Sequence, residues 1–154
     1  MNTIKVSAEI FRELGYIADN ENYLEKVLDY IRSLTKKTVV QRGATYTALL
    51  EQLSDFQEYE EGWDGENARP LSRKVVKNFK AVLAKASEKS LEGWHLEPQA
   101  NGTLLIMNNG RNAGINLGAS DYSFFIVENG NVEGKNNVHF TVSSLLQTIK
   151  HINK

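Results

Sequence analysis

The chain has no cysteine, and only two prolines and two methionines in 154 residues. Without cysteine it forms no disulfide, offers no thiol nucleophile and supplies no thiolate metal ligand. That composition suits a reducing compartment. Long apolar runs are missing too: no window approaches the ~20 apolar residues that a membrane span needs. The opening segment, MNTIKVSAEIFRELG, is broken by Lys5, Glu9, Arg12 and Glu13 and lacks the uninterrupted apolar stretch of a signal peptide. A cytoplasmic protein with no membrane partner is expected. Excess charge of either sign is lacking as well. The formal net charge is −1, so the chain as a whole exerts no pull on nucleic acid or anionic lipid.

At 41% hydrophobic and 24% charged residues, the remainder has the composition of an ordinary globular domain. The charges are unevenly spread. Between Arg42 and Arg69 there is no basic residue, while Glu51, Asp55, Glu58, Glu60, Glu61, Asp64 and Glu66 are acidic. From Arg69 to Lys89 the bias reverses, with Arg69, Arg73, Lys74, Lys77, Lys80, Lys85 and Lys89 set against Glu88 alone.

Thr3 to Val6 alternates polar and apolar residues and predicts a very short strand. Ser7 is a plausible N-cap for a helix to about Ala18, with Ile10, Phe11, Leu14, Ile17 and Ala18 on one face. After a break at Asp19-Asn20, Asn22 and Glu25 have the spacing of a capping box. Tyr23, Leu24, Val27, Leu28, Ile31 and Leu34 then keep helical spacing, and Lys36-Lys37 suits the negative end of the helix. Residues 38–44 have the composition of a linker, which divides the chain into 1–42 and 43–154. A third helix is expected over Thr45–Tyr59 and a fourth over Ser72–Lys89, joined by the ordered loop EEGWDGENARPL. The fourth helix segregates Val75, Val76, Phe79, Val82, Leu83 and Ala86 from its basic residues. From Trp94 the period changes to two. Trp94–Glu97, Thr103–Asn108, Ala113–Leu117, Tyr122–Glu128 and Val138–Phe140 are expected strands, separated by Asn101-Gly102, Asn109-Gly110 and Asn129-Gly130 turns. Thr141 caps a closing helix that carries Val142, Leu145, Leu146, Ile149 and Ile152. The expected fold is α+β: a helical pair, then helices on an antiparallel meander of about five strands with a C-terminal helix.

Chemistry is sparse. His95, His139 and His151 have no paired spacing, so each is read as structural rather than as a zinc ligand. The acidic loop lacks the alternating ligands of a calcium site. No GxSxG elbow is present, and Gly110, Gly114 and Gly118 match neither GxGxxG nor a phosphate loop. On paper Arg111, Glu128 and His139 form a nuclease-like trio, but any chain of this length offers one. No catalytic residue, metal set or cofactor is expected, and a binding protein is favoured over an enzyme. GWDG, residues 62–65, is the most distinctive string. Trp63 with Asp64 is either an aromatic anchor for a partner or a ring tucked into the core above an Asp64-Gly65 turn. This string, with the proline and helix that follow, resembles uncharacterised prokaryotic domains found on mobile elements, which implies no activity. The basic helix 72–89 is either a phosphate-binding surface or a solvated face neutralised by its acidic neighbour.

Residues TIKVSAEIFRELGYIADNENYLEKVLDYIRSL resemble the ribbon-helix-helix family and the short antitoxins of toxin–antitoxin pairs. Leu14, Ile17 and Ala18 match the first helix of that family, and Leu24, Val27, Leu28, Tyr30 and Ile31 match the second. The resemblance implies a homodimer whose paired strands enter the major groove of operator DNA. Thr3 and Lys5 would then face base edges, and the amides near Asn22 and Tyr23 would hold a phosphate. Residues 43–154 would neutralise a toxin-like partner protein. Two alternatives stand beside it. In one, the pair consists of amphipathic helices that dimerise or pack on the main domain. In the other, the whole chain is a stand-alone, immunity-type binding module.

Overall fold

The computed structural model describes residues 3–38 and 43–154, with side chains described for 5–34 and 43–154. The chain divides into two compact units, Met1–Gln41 and Arg42–Lys154. The expected linker at 38–44 lies largely outside the described residues.

The first unit is a pair of helices, α1 (Thr3–Ile17) and α2 (Glu21–Thr38). The expected strand over Thr3–Val6 is not formed, because these residues make the first turn of α1. Val6 stands four positions before Ile10, and Ile10 four before Leu14. The helical stripe therefore runs back through the segment, and an alternation only four residues long has no second strand to pair with. Ser7 falls inside the helix rather than capping it. The cap of α2 also differs from expectation. Asn20, not Asn22, accepts the Tyr23 amide on its side chain (3.2 Å), and its carbonyl takes the Tyr23 and Leu24 amides. The two-residue break that the sequence marks is thus itself the start signal.

The second unit holds α3 (Ala44–Gln57), α4 (Arg73–Lys85), the single turn α5 (Glu88–Leu91), five strands and α6 (Val142–Ile152). The strands are β1 (Trp94–Pro98), β2 (Leu104–Asn108), β3 (Ala113–Leu117), β4 (Asp121–Glu128) and β5 (Asn131–His139), in the antiparallel order β1-β2-β3-β4-β5. The fold is α+β. Alternate residues Leu96, Leu104, Ile106, Ile115, Leu117, Tyr122 and Ile126 are buried and form one core with Leu49 and Leu53 of α3, Val75, Phe79, Val82 and Leu83 of α4, and Leu145, Ile149 and Ile152 of α6. The helices therefore cover one face of the sheet.

Two boundaries moved for local reasons. The expected fourth helix stops at Lys85, where Ala86 and Ser87 turn extended and the Ser87 hydroxyl caps α5 by accepting the Ser90 amide. The fifth strand is nine residues long rather than three. It is exposed along nearly its whole length, with Val132 72% accessible, so it carries no inward alternation to see in sequence. Its pairing follows from the Asn129-Gly130 turn, where both residues take positive φ (51° and 77°), the geometry of a tight hairpin. Asn109-Gly110 does not make such a turn. It opens a 3-10 turn over Asn109–Arg111, and the left-handed residue is Asn112 (φ 46°).

Candidate functional site

Most of the exposed large hydrophobic side chains among the described residues lie on the helical pair. Ile10 and Phe11 on α1 are 53% and 74% exposed, and Tyr16, Tyr23, Leu24, Leu28, Tyr30, Ile31 and Leu34 are exposed with them. Val6, Ile10, Leu14 and Ile17 of α1 line a groove with Val27 of α2. Thr3 and Lys5 lie in the first turn of α1. On a helix these positions are about 200° apart around the axis, so they do not share a face as alternate strand positions do. Asn22 is exposed in the first turn of α2. The Tyr23 amide already has acceptors in the Asn20 carbonyl and side chain, which removes it as a free phosphate donor.

The GWDG loop is ordered by its own backbone. Gly62 N–H donates to the Ala68 carbonyl (2.8 Å), Ala68 N–H to Gly65 (2.9 Å), and Arg69 N–H reaches Ala100 in the β1–β2 turn (2.8 Å). Gly62 and Gly65 supply the positive φ (81° and 100°) the loop needs. Trp63 falls between the two expectations. It is half-buried and outside the core, its indole N–H donates to the Arg69 carbonyl (2.9 Å), and its ring lies 4.9 Å from that of Tyr59. Asp64 is exposed. Trp63 therefore shores up the loop with one edge and shows the other to solvent.

The histidines do not converge. His95 pairs with Glu97 and His151 with Glu133, each at 3.2 Å. His139 and Glu128 stand at opposite ends of the β4–β5 ladder, roughly 23 Å apart at the rise of a strand, so the trio with Arg111 is not assembled. Among the described residues no group of three or more His, Asp or Glu side chains is placed to hold a metal ion. No helix among them is long and apolar enough to cross a membrane.

A second site, not visible in the sequence reading, lies in the α+β unit. A cleft of about 770 Å³ opens where the C-terminal ends of α4 and α6 meet α5 and the 3-10 turn. Lys85, Lys89, Arg111, Lys150 and Lys154 border it, and Glu92 is the one acidic side chain of its lining. A side-chain network holds its walls. Asn153, at the end of α6, accepts the indole N–H of buried Trp94 (3.2 Å) and donates to the Ser90 carbonyl (2.9 Å), while its own carbonyl takes the Arg111 guanidinium (2.8 Å). Asn108, 4% exposed, accepts the Arg111 amide on its side-chain oxygen (3.2 Å). It lies close against Gly93, whose φ of +80° and missing Cβ make room for it. One signal for Asn108 was present: it takes the third inward position of β2 after Leu104 and Ile106, where a polar residue is out of place.

Glu88 is the other residue whose role sequence reasoning missed. Its carboxylate accepts the amides of Thr45 (2.7 Å) and Tyr46 (3.2 Å), capping α3 from forty residues away in place of Gly43, which has no side chain to do so. A Cβ at Gly43 would overlap the Glu88 carboxyl. Hydrogen bonding, to Thr45 foremost and then to Tyr46 and Gly43, holds the Glu88 pKa below the ordinary carboxylate value despite the opposing effect of partial burial. Its isolation among seven cations was the visible signal. No protein-family model, curated protein or solved structure matches this chain.

Proposed function

We propose that this is a non-enzymatic, cytoplasmic regulatory binding protein of the antitoxin kind, in which the helical pair joins two copies and the α+β unit engages a partner protein. The observation that carries the reading is the uncovered apolar surface of α1 and α2. A unit of about forty residues rarely folds alone unless a disulfide, a metal or association supplies what its small core cannot. This unit has no cysteine, and association that covers its exposed stripes is what this reading supplies. A second copy is the natural occupant because seven basic and six acidic residues in 1–42 nearly cancel, so two copies do not repel. Four amphipathic helices then bury each other's stripes as a bundle.

Operator DNA has weaker support. A paired ribbon would require the first turn of α1 to unwind, and the same stretch offers Lys5 as its one basic residue. Partner binding without DNA is therefore the form the geometry favours. The test is the solution mass of the full chain and of residues 43–154 at tens of micromolar. The reading expects a dimer and a monomer respectively, and a monomeric full chain would remove it.

A further inference from the structure

We infer that the basic cleft of the α+β unit is a docking groove for an extended acidic segment of a partner protein, one that alternates carboxylates with aliphatic side chains. The inference rests on the partner-binding reading and names the chemistry of the partner. Its first support is shape. The 770 Å³ cleft continues into a second cavity of about 330 Å³, and the two share Lys85, Leu146 and Lys150. The result is a trough far larger than a single anion. Its lining combines the aliphatic Leu146 and Val142 on α6 and Ala86 after α4 with Lys85 and Lys150.

Charge is the second support. None of Lys85, Lys89, Arg111 and Lys150 forms an ion pair with a described residue. With Lys154, five cationic side chains line the cleft; they repel each other and gain from an anion laid between them. The third is an unused donor. The Asn108 side chain is fixed through its oxygen, while its Nδ2 has no acceptor among the described residues and is not sealed from the cleft. Because that donor reaches solvent, water can satisfy it in the free protein, and a carbonyl of a bound strand takes the place of water on docking.

The same features disfavour a phosphate ligand. Compact phosphates are held by helix N-termini and by free arginine forks. The C-terminal end of α4 lies at the trough, α6 with its C-cap contributes lining residues from Val142 to Asn153, and the Arg111 guanidinium already donates to Asn153. No aromatic ring lines the cleft, so a nucleobase would find no stacking surface. Separated lysines beside aliphatic side chains suit carboxylates spaced along a strand.

Fluorescence anisotropy of a short fluorescein-labelled peptide of alternating glutamate and leucine, titrated with the full-length protein, tests this. Saturable binding is expected, weakening steeply as NaCl is raised from about 50 to 300 mM, and absent for the matching lysine–leucine peptide. The exposed pair Lys89→Glu and Lys150→Glu should weaken it by about tenfold or more, since each lost attraction becomes a repulsion. Lys74→Glu with Lys77→Glu on the outer face of α4 should leave it unchanged, and circular dichroism confirms that each variant is folded. Equal loss in both variants would reduce the effect to general surface charge and overturn the assignment, as would peptide binding that ignores the cleft pair. Displacement of the peptide by ATP at lower concentration than by unlabelled peptide would mark a phosphate site instead and overturn it too. The same samples weighed by light scattering separate the two readings: peptide binding that fails while the dimer persists removes the groove and leaves helix pairing standing.

Discussion

Helices α2 and α4 are both amphipathic, yet they end in different environments. α4 buries Val75, Val76, Phe79, Val82 and Leu83 under the sheet and beside α6. α2 leaves Tyr23, Leu24, Leu28, Tyr30, Ile31 and Leu34 in solvent. An apolar stripe is an invitation to burial, and whether burial follows depends on what the rest of the chain supplies. Residues 43–154 supply a sheet with one whole face to cover. Residues 3–38 supply only a second helix of the same kind, and two helices cannot enclose both stripes. The first stripe is spent on folding, and the second is the one the proposed pairing would use.

The largest effect that would break this contrast comes from truncating matched apolar residues in the two units. Phe79→Ala should destabilise the α+β unit by about 3–5 kcal/mol, because the cavity is closed on all sides. Leu28→Ala, made at an exposed position, should leave the urea midpoint of that unit where it is. A shift of similar size from Leu28→Ala would mean that the two stripes are not in different states.

Asn153→Ala sharpens the contrast next, since it tests polar rather than apolar sealing. It strands the indole N–H of buried Trp94 and frees Ser90, and urea denaturation should register a loss of about 1–3 kcal/mol. Trp94 fluorescence should report the loosened wall.

The smallest effect concerns Glu88. Its folded pKa is depressed, so the stability it contributes is present above the ordinary carboxylate value and is lost as pH falls through the lower folded value. Thermal melts from neutral to acid pH should show that loss in the native chain, and Glu88→Gln should flatten this part of the profile. Gly43→Ala should act through the same group by displacing the carboxylate, so the double variant should be no worse than the more severe single one. Additive losses would separate Gly43 from the cap.

The elements that carry a regular period were legible in the sequence, and those set by distant partners were not. Val75 to Leu83 and Leu104 to Ile106 announce a helix and a strand by spacing alone, and Thr141 announces its cap. β5 was hidden because an exposed edge strand has no inward side to mark; Glu133, Gly134 and Lys135 are what an edge carries to discourage further pairing. The strand expected at residues 3–6 failed because local alternation lost to a longer helical stripe. Of the candidate site, Trp63 and the exposed helical stripe were in view. The cleft was not, because Lys85, Asn108, Arg111, Lys150 and Asn153 come from four separate elements that only the folded sheet brings together.

The central claim is that the exposed faces of α1 and α2 pair two copies of the chain. The most direct measurement is light scattering of the native protein beside a Phe11→Glu, Ile31→Glu variant across a concentration series. Both residues are exposed in the single chain, so the substitutions place charge on the pairing surface without entering the core. The account predicts a native dimer and a variant that stays monomeric with an unchanged thermal transition of the α+β unit. Equal masses for the two proteins would contradict it.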